Sequence, residues 1–312
     1  MVDSHPEVQV DRPRGLKLDL ADGRRWFIRP VDDGAAAVVA ELGKAMRLGP
    51  GAGGRELYVA VCSAKVSATS DLDGTGAVVC RIAEPTDPDA KALAMQIVSS
   101  LVAHEALARG GLLLHGALAE YKGSGFIMAG PGSVGKSTAS RRLPLPWRSL
   151  SDDKTLVVRD SKGRFRAHPW PTWSRFYDNG PGGSWAVEDA VPLRAIFFIA
   201  QSPSDQLEPV GATPAAALVL ESAVDLAGEV RRVTDENAAR KLHGEMVAAT
   251  RALVSAVPAF WLGLSLSGRY WEEIERVLPG EALPESSRER EWVSTESLLT
   301  GIRCAWSTRG RA

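Results

Sequence analysis

Eight consecutive residues, Gly130-Pro131-Gly132-Ser133-Val134-Gly135-Lys136-Ser137, satisfy the spacing G-x-x-x-x-G-K-[ST]. Glycines at those places let a backbone curl until successive N–H groups point inward and form a nest for phosphate oxygens. A helix starting there adds partial positive charge. Lys136 has the reach for β and γ phosphates, and the Ser137 hydroxyl is a magnesium ligand, with Thr138 completing the cofactor-binding set. The chemistry indicated is that of ATP with Mg2+. Lys136 is expected to face the surface in the empty protein. The competing reading is a plain surface glycine loop between a strand and a helix.

A second group follows fourteen residues after Ser137, at Ser151-Asp152-Asp153. Two adjacent carboxylates one loop-helix unit past a phosphate loop can divide two tasks. Asp152 is assigned to accepting a proton from an attacking hydroxyl, and Asp153, with Ser137, to holding the metal. A solvated Asp-Asp turn is the alternative. Further on, Arg175 offers a planar fork for charge that spreads over phosphoryl oxygens, or is an exposed loop arginine. Trp170, Trp173 and Trp185 either line an apolar groove for a peptide or pack their own loop onto the sheet.

The elements that must hold these residues are legible around them. "GFIMA" before the loop is an apolar strand, and "STASRRL" after it is a helix that Pro144 stops. "LLLHGALA", about 112–119, is a further strand, joined to "GFIMA" by the short, turn-rich "EYKGSG". "SLSDDKTLVV" reads as one strand that a turn at Asp160–Gly163 connects to a second. His168–Trp185 concentrates Trp, Pro and Gly too densely for a helix or a central strand, and is expected to be a long functional loop able to close over the site. "AIFFIA" is a buried strand, helices are expected at about 213–226 and 235–255, and a strand "AFWLGLSLS" and a helix "YWEEIERVL" follow. Two D-x-x-G matches, Asp71–Gly74 and Asp225–Gly228, are short enough to arise by chance.

Upstream, "RRWFIRPV", "ELYVAVCSA" and "GAVVCRIAE" are strand-like, with a helix after the first. The organisation expected is a small α+β domain at 1–88 with a frayed start, a linking helix at 89–109 that contains His104, an α/β domain at 110–280 and a polar tail at 281–312. With 312 residues, 24% charged and 45% hydrophobic, the chain can bury a sizeable core. A net charge of −1 gives no global attraction to nucleic acid or to an anionic membrane. Cys62, Cys80 and Cys304 fit neither a metal pattern nor a disulfide framework, and no secretory or membrane-spanning segment is evident, so a cytoplasmic protein is expected. Homo-oligomers stay open.

"LLLHGALAEYKGSGFIMAGPGSVGKSTASRRL" with "SLSDDKTLVV" resembles the catalytic core of the HPr kinase/phosphorylase family, over about Leu112–Val158. The resemblance implies a phosphoenolpyruvate-carboxykinase-like P-loop kinase core that phosphorylates a protein hydroxyl. It also implies that His115 sits beside the transferred phosphate; capping of a backbone carbonyl is the plainer role. The family's long Glu-Ile-Arg-Gly-Leu-Gly signature has no match here. The chain is more similar to the HPr-kinase-related proteins of peptide-modification clusters, including the SynChlorMet cassette type and lasso-peptide kinases. There the implied acceptor is a Ser or Thr of a peptide or small protein. The rivals are a small-molecule kinase, a nucleotide-binding regulatory module without phosphotransfer, and a hydrolysing ATPase.

Overall fold

A computed structural model of the chain describes residues 15–62, 67–69, 77–231 and 236–277. The expected tail, Cys304 and the Asp71–Gly74 match lie outside them. The architecture is mixed α/β, with two sheets and, among the described residues, six α-helices.

The first sheet holds β1 (Leu16–Asp19), β2 (Arg25–Pro30), β3 (Arg55–Cys62), β4 (Ser67–Thr69) and β5 (Val78–Ala83), in the order β1-β2-β3-β5-β4. The three middle strands are parallel and the outer two antiparallel to their neighbours. Trp26, Ile28, Leu57, Val59, Val78, Cys80 and Ile82 alternate along the strands and are all buried. Helix α1 (Asp33–Met46) makes the crossover from β2 to β3. Its start is closed by Asp32, whose Oδ1 accepts the Ala35 amide at 2.8 Å while Oδ2 accepts the Val61 amide at 2.9 Å. Helix α2 (Pro88–Leu107) is likewise capped, by Asp87 on the Ala90 amide at 2.7 Å, with Pro88 in the first turn where no amide is needed.

The second sheet contains β6 (Leu112–Tyr121), β7 (Ser124–Ala129), β8 (Arg148–Ser151), β9 (Lys154–Arg159), β10 (Phe165–Trp170), β11 (Val191–Gln201), β12 (Gln206–Val210) and β13 (Ala259–Leu264). Its main order is β10-β9-β6-β7-β11-β13-β12, with β8 added to β6. β10 also pairs with the start of β11, so the path β10-β9-β6-β7-β11 closes on itself. β7, β11 and β13 are parallel. They are buried on both faces, which is why "GFIMA" and "AIFFIA" are continuous apolar runs. α3 (Lys136–Arg142) and α6 (Tyr270–Val277) share one face with Phe197, Ile199 and Leu262. α4 (Ala212–Arg231), α5 (Glu236–Ala256) and α2 contribute to the core on the other, with Ile196 and Phe198. That core continues without a break into the first sheet, from Leu18 to Ala259.

Several expectations need correction. "SLSDDKTLVV" is two strands, broken at the Asp pair. His168–Trp170 is the end of β10, and only the segment beyond it is irregular, with a 3-10 turn at Trp173–Phe176. Trp170, Trp173 and Trp185 are all buried, so they pack the segment and form no open groove. Strands β1, β4 and β12 were not anticipated, and α4 runs on to Arg231 through the Asp225–Gly228 match. No helix among the described residues is long and apolar enough to cross a membrane.

Candidate functional site

Residues 130–135 join the C-terminal end of β7 to α3. Ser133 (φ 64°) and Gly135 (φ 112°) take positive φ, the backbone alternation that turns amides to one side. Gly135 precedes α3 and offers no side-chain cap, so the helix's first amides are not taken by the chain's own side chains there. A seven-residue helix is not stable alone. The Tyr270 hydroxyl donates to the Ala139 carbonyl at 2.5 Å, and the Arg142 guanidinium donates to the carbonyls of Ser265 (2.7 Å) and Gly268 (2.5 Å). These bonds fix α3 to the α6 side.

Lys136 is only 5% exposed, against the expectation that it faces the surface. Its Nζ donates to the loop carbonyls of Gly130 (2.9 Å) and Pro131 (3.0 Å), which lets a desolvated ammonium stay under the loop. Burial pushes its pKa down, against the opposing pull of Asp153 and Asp225.

The Asp pair reaches the loop through β6. Gly116 pairs with Ala129, the last residue of β7, so His115 lies level with Gly130. Gly116 is required there: a Cβ would stand 2.7 Å from Ile127 Cγ2 and 3.2 Å from the Met128 carbonyl. On the other edge of β6, His115 pairs with Lys154 and Leu118 with Ser151, one register spanning a gap. Asp152 and Asp153 occupy that gap opposite Ala117 and Gly116, outside the ladder. Flanking hydroxyls replace the missing strand bonds. Thr155 Oγ1 donates to the Gly116 carbonyl (2.9 Å), and Ser151 Oγ accepts the Leu118 amide (3.2 Å). The sequence Ser-Asp-Asp-Lys-Thr thus opens a strand at two carboxylates without orphaning its neighbour.

The two carboxylates have different company. Asp153 Oδ1 accepts from His115 Nε2 at 2.9 Å and lies 3.9 Å from Lys136 Nζ. Burial pushes the Asp153 pKa up, but the His115 hydrogen bond and charge, with the charges of Lys136 and Lys154, outweigh it and hold the carboxyl below its usual range. Asp152 instead accepts from Thr172 Oγ1 on Oδ1 (3.0 Å) and from Arg175 Nη1 on Oδ2 (3.3 Å). Thr172 caps the 3-10 turn and Arg175 lies within it, where side chains three apart eclipse, so one carboxylate meets both. Arg175 also lies over the Trp185 ring, 5.9 Å from its centroid. The Asp152 main-chain carbonyl accepts from Ser137 Oγ at 3.4 Å. His115 is anchored from behind by α4: Ser222 Oγ accepts its amide (2.9 Å) and donates to its carbonyl (3.5 Å).

His115, Lys136, Ser137, Asp152, Asp153 and Arg175 therefore meet in one place. Thr172 and Ser222 join them unforeseen. Among the described residues no group of three or more His, Cys, Asp and Glu could hold a metal ion by itself. Magnesium takes one or two carboxylates and completes its shell with phosphate oxygens and water. The donor chemistry of Ser137 and Asp153 fits such an ion.

The family model described as SynChlorMet cassette protein ScmC matches residues 78–279, well over half of the chain. No curated protein matches it.

Proposed function

We propose that this chain, which belongs to the SynChlorMet cassette protein ScmC family, is an ATP- and magnesium-dependent kinase that phosphorylates a Ser or Thr hydroxyl of a peptide or small protein. One observation carries the reading: the lysine of a phosphate-type loop and a half-buried carboxylate hydrogen-bonded to a histidine approach to 3.9 Å. The strand-loop-helix unit around them supports a phosphoenolpyruvate-carboxykinase-like P-loop core.

In this reading the amides of Gly130 to Ser137, with Thr138 beyond them, cradle the phosphates, and Lys136 turns from its loop carbonyls to the β and γ oxygens. Magnesium, when bound, neutralises phosphate charge; Ser137 and Asp153 would hold it. The bond between the γ phosphorus and the β-phosphate oxygen breaks, a bond to the acceptor oxygen forms, ADP departs, and the acceptor proton passes to a carboxylate. Asp152 is the carboxylate assigned to that proton, because Asp153 is taken up by His115, Lys136 and the metal. Thr172 and Arg175 orient Asp152. His115 steadies Asp153, and Arg175 can meet charge that grows on the phosphoryl group.

The test is incubation of the protein with γ-labelled MgATP and an arrayed library of Ser/Thr peptides. Label transfer by the wild type that Asp152→Asn abolishes is the expected result. MgATP binding without transfer to any peptide, or transfer only to small hydroxyl compounds, would replace the peptide-kinase reading with the regulatory module or the small-molecule kinase.

A further inference from the structure

The loop at Gly130–Ser137 accounts for phosphates but leaves a nucleoside unplaced. His115, Asp152 and Asp153 lie on the β6, β8 and β9 side of β7. If the γ-phosphate points to them, the rest of the nucleotide must extend the opposite way, across β11 and β13. A pocket of about 260 Å³ lies there, at the end of the sheet that carries the loop. Its lining includes Ala200, Ser202, Gln206, Glu208, Trp261 and Gly263. Its relation to the loop is fixed by register. Phe198 pairs with Ala129 on one side and Trp261 on the other, so Trp261 is level with the end of β7. Two strand spacings, about 10 Å, separate them. A Cβ on Gly130 would touch Ile199, the residue before Ala200. A ribose and an α-phosphate bridge a gap of that order.

The lining has the chemistry of a base site. Trp261 is half-buried, packed against Phe198 at 5.8 Å between centroids, and offers an indole platform. Gly263 adds no side chain to the pocket, where a Cβ would come within 2.7 Å of Gln206 and 3.0 Å of Ser202. Glu208 and Gln206, both exposed on the edge strand β12, supply a carboxylate acceptor and an amide.

We infer that this pocket is the nucleobase subsite, with Trp261 stacking on a purine and Glu208 accepting from its amino or ring N–H groups. The inference rests on the phosphate-loop reading above and assigns the base to a place that reading does not specify. Adenine and guanine both present such donors, so both are tested.

The experiment is calorimetric titration of the full chain with magnesium tripolyphosphate, MgATP and MgGTP. Tripolyphosphate reads the loop alone. Wild type is expected to bind ATP or GTP more tightly than tripolyphosphate. Trp261→Ala is expected to weaken the preferred nucleotide about 5- to 100-fold, the span of one lost base-aromatic stack, and to leave tripolyphosphate unchanged. Trp261→Phe keeps a ring and should restore most of the affinity. Glu208→Gln should narrow the ratio between ATP and GTP. Trp261→Ala with normal nucleotide affinity, or one that loses tripolyphosphate and nucleotide equally, overturns the subsite while leaving the loop intact. A wild type that binds none of the three overturns the loop reading and this one with it.

Discussion

Two strand-to-helix junctions in this molecule begin alike and end differently. In the first sheet β2 passes to α1, and Asp32 spends both carboxylate oxygens on the chain's own amides, at Ala35 and Val61. In the second sheet β7 passes to α3 through six residues, two of them at positive φ, and no side chain caps the helix. The first junction satisfies itself with an internal anion. The second keeps its donors and brings a lysine beneath them. An aspartate closes a helix to ligands, whereas glycine-rich backbone with no cap leaves it receptive.

The same substitution applied to an aspartate beside each junction separates structure from chemistry most widely. Asp152→Asn should lower phosphoryl transfer by about two to four orders of magnitude, the usual contribution of a positioned proton acceptor. Asp32→Asn, which preserves a good cap, should leave transfer unchanged. Single-turnover transfer measurements on both variants would decide, and equal losses would erase the distinction. Next in size is Gly132→Ala. Nothing lies within 4 Å of the added Cβ and φ is ordinary, so the fold should tolerate it. A methyl in the cradle that displaces one charge-assisted hydrogen bond should weaken MgATP about tenfold or more, with an unchanged melting temperature. Asp32→Ala should do the reverse. It should cost about 0.5–2 kcal/mol in urea denaturation and leave nucleotide affinity alone.

The smallest expected effect is a pH dependence on the closed side. His168 is fully buried. Its Nδ1–H donates to the Val187 carbonyl (2.6 Å) and its Nε2 accepts the Ala21 amide (3.1 Å), which ties β10 to the turn between β1 and β2. Burial pushes its pKa down, so below about pH 6.5 the unfolded chain takes up a proton that the folded chain refuses. Folded stability should therefore decline as pH falls from about 6.5 toward the lowered folded value. The slope from this residue is at most about 1.4 kcal/mol per pH unit. His104 is also shifted down by burial and adds in the same direction. Urea denaturation at pH 7.5 and 5.5 should show the decline, and His168→Gln should reduce it. Nucleotide binding to the open junction should not share that dependence.

The open junction was legible in the sequence because its signal is local: eight residues carry the spacing, and an apolar strand and a helix flank them. The Asp pair was legible as chemistry but not as a break between strands. The break depends on Ser151 and Thr155 reaching across to β6, a pairing that a linear reading cannot see. Thr172 and Ser222 come to the site from a later turn and from α4, with no motif of their own. The i, i+3 spacing of Thr172 and Arg175 was the one usable hint. The tryptophans left two readings open because aromatic residues among glycines suit a mobile groove and a packed plug equally, and only the neighbouring core decides.

The place of β5 has a consequence for what counts as a unit. The family match begins at Val78, the first residue of β5. Yet β5 stands between β3 and β4, and Cys80 and Ile82 join a core that runs on through the rest of the molecule. A fragment cut where the family begins would expose both edges of β5 and the face of α2 that packs on α1. Heredity and cooperativity draw different borders here: the stretch that the family model covers is expected to lose stability when cut out alone, with the residues before it acting as a folding partner carried in cis.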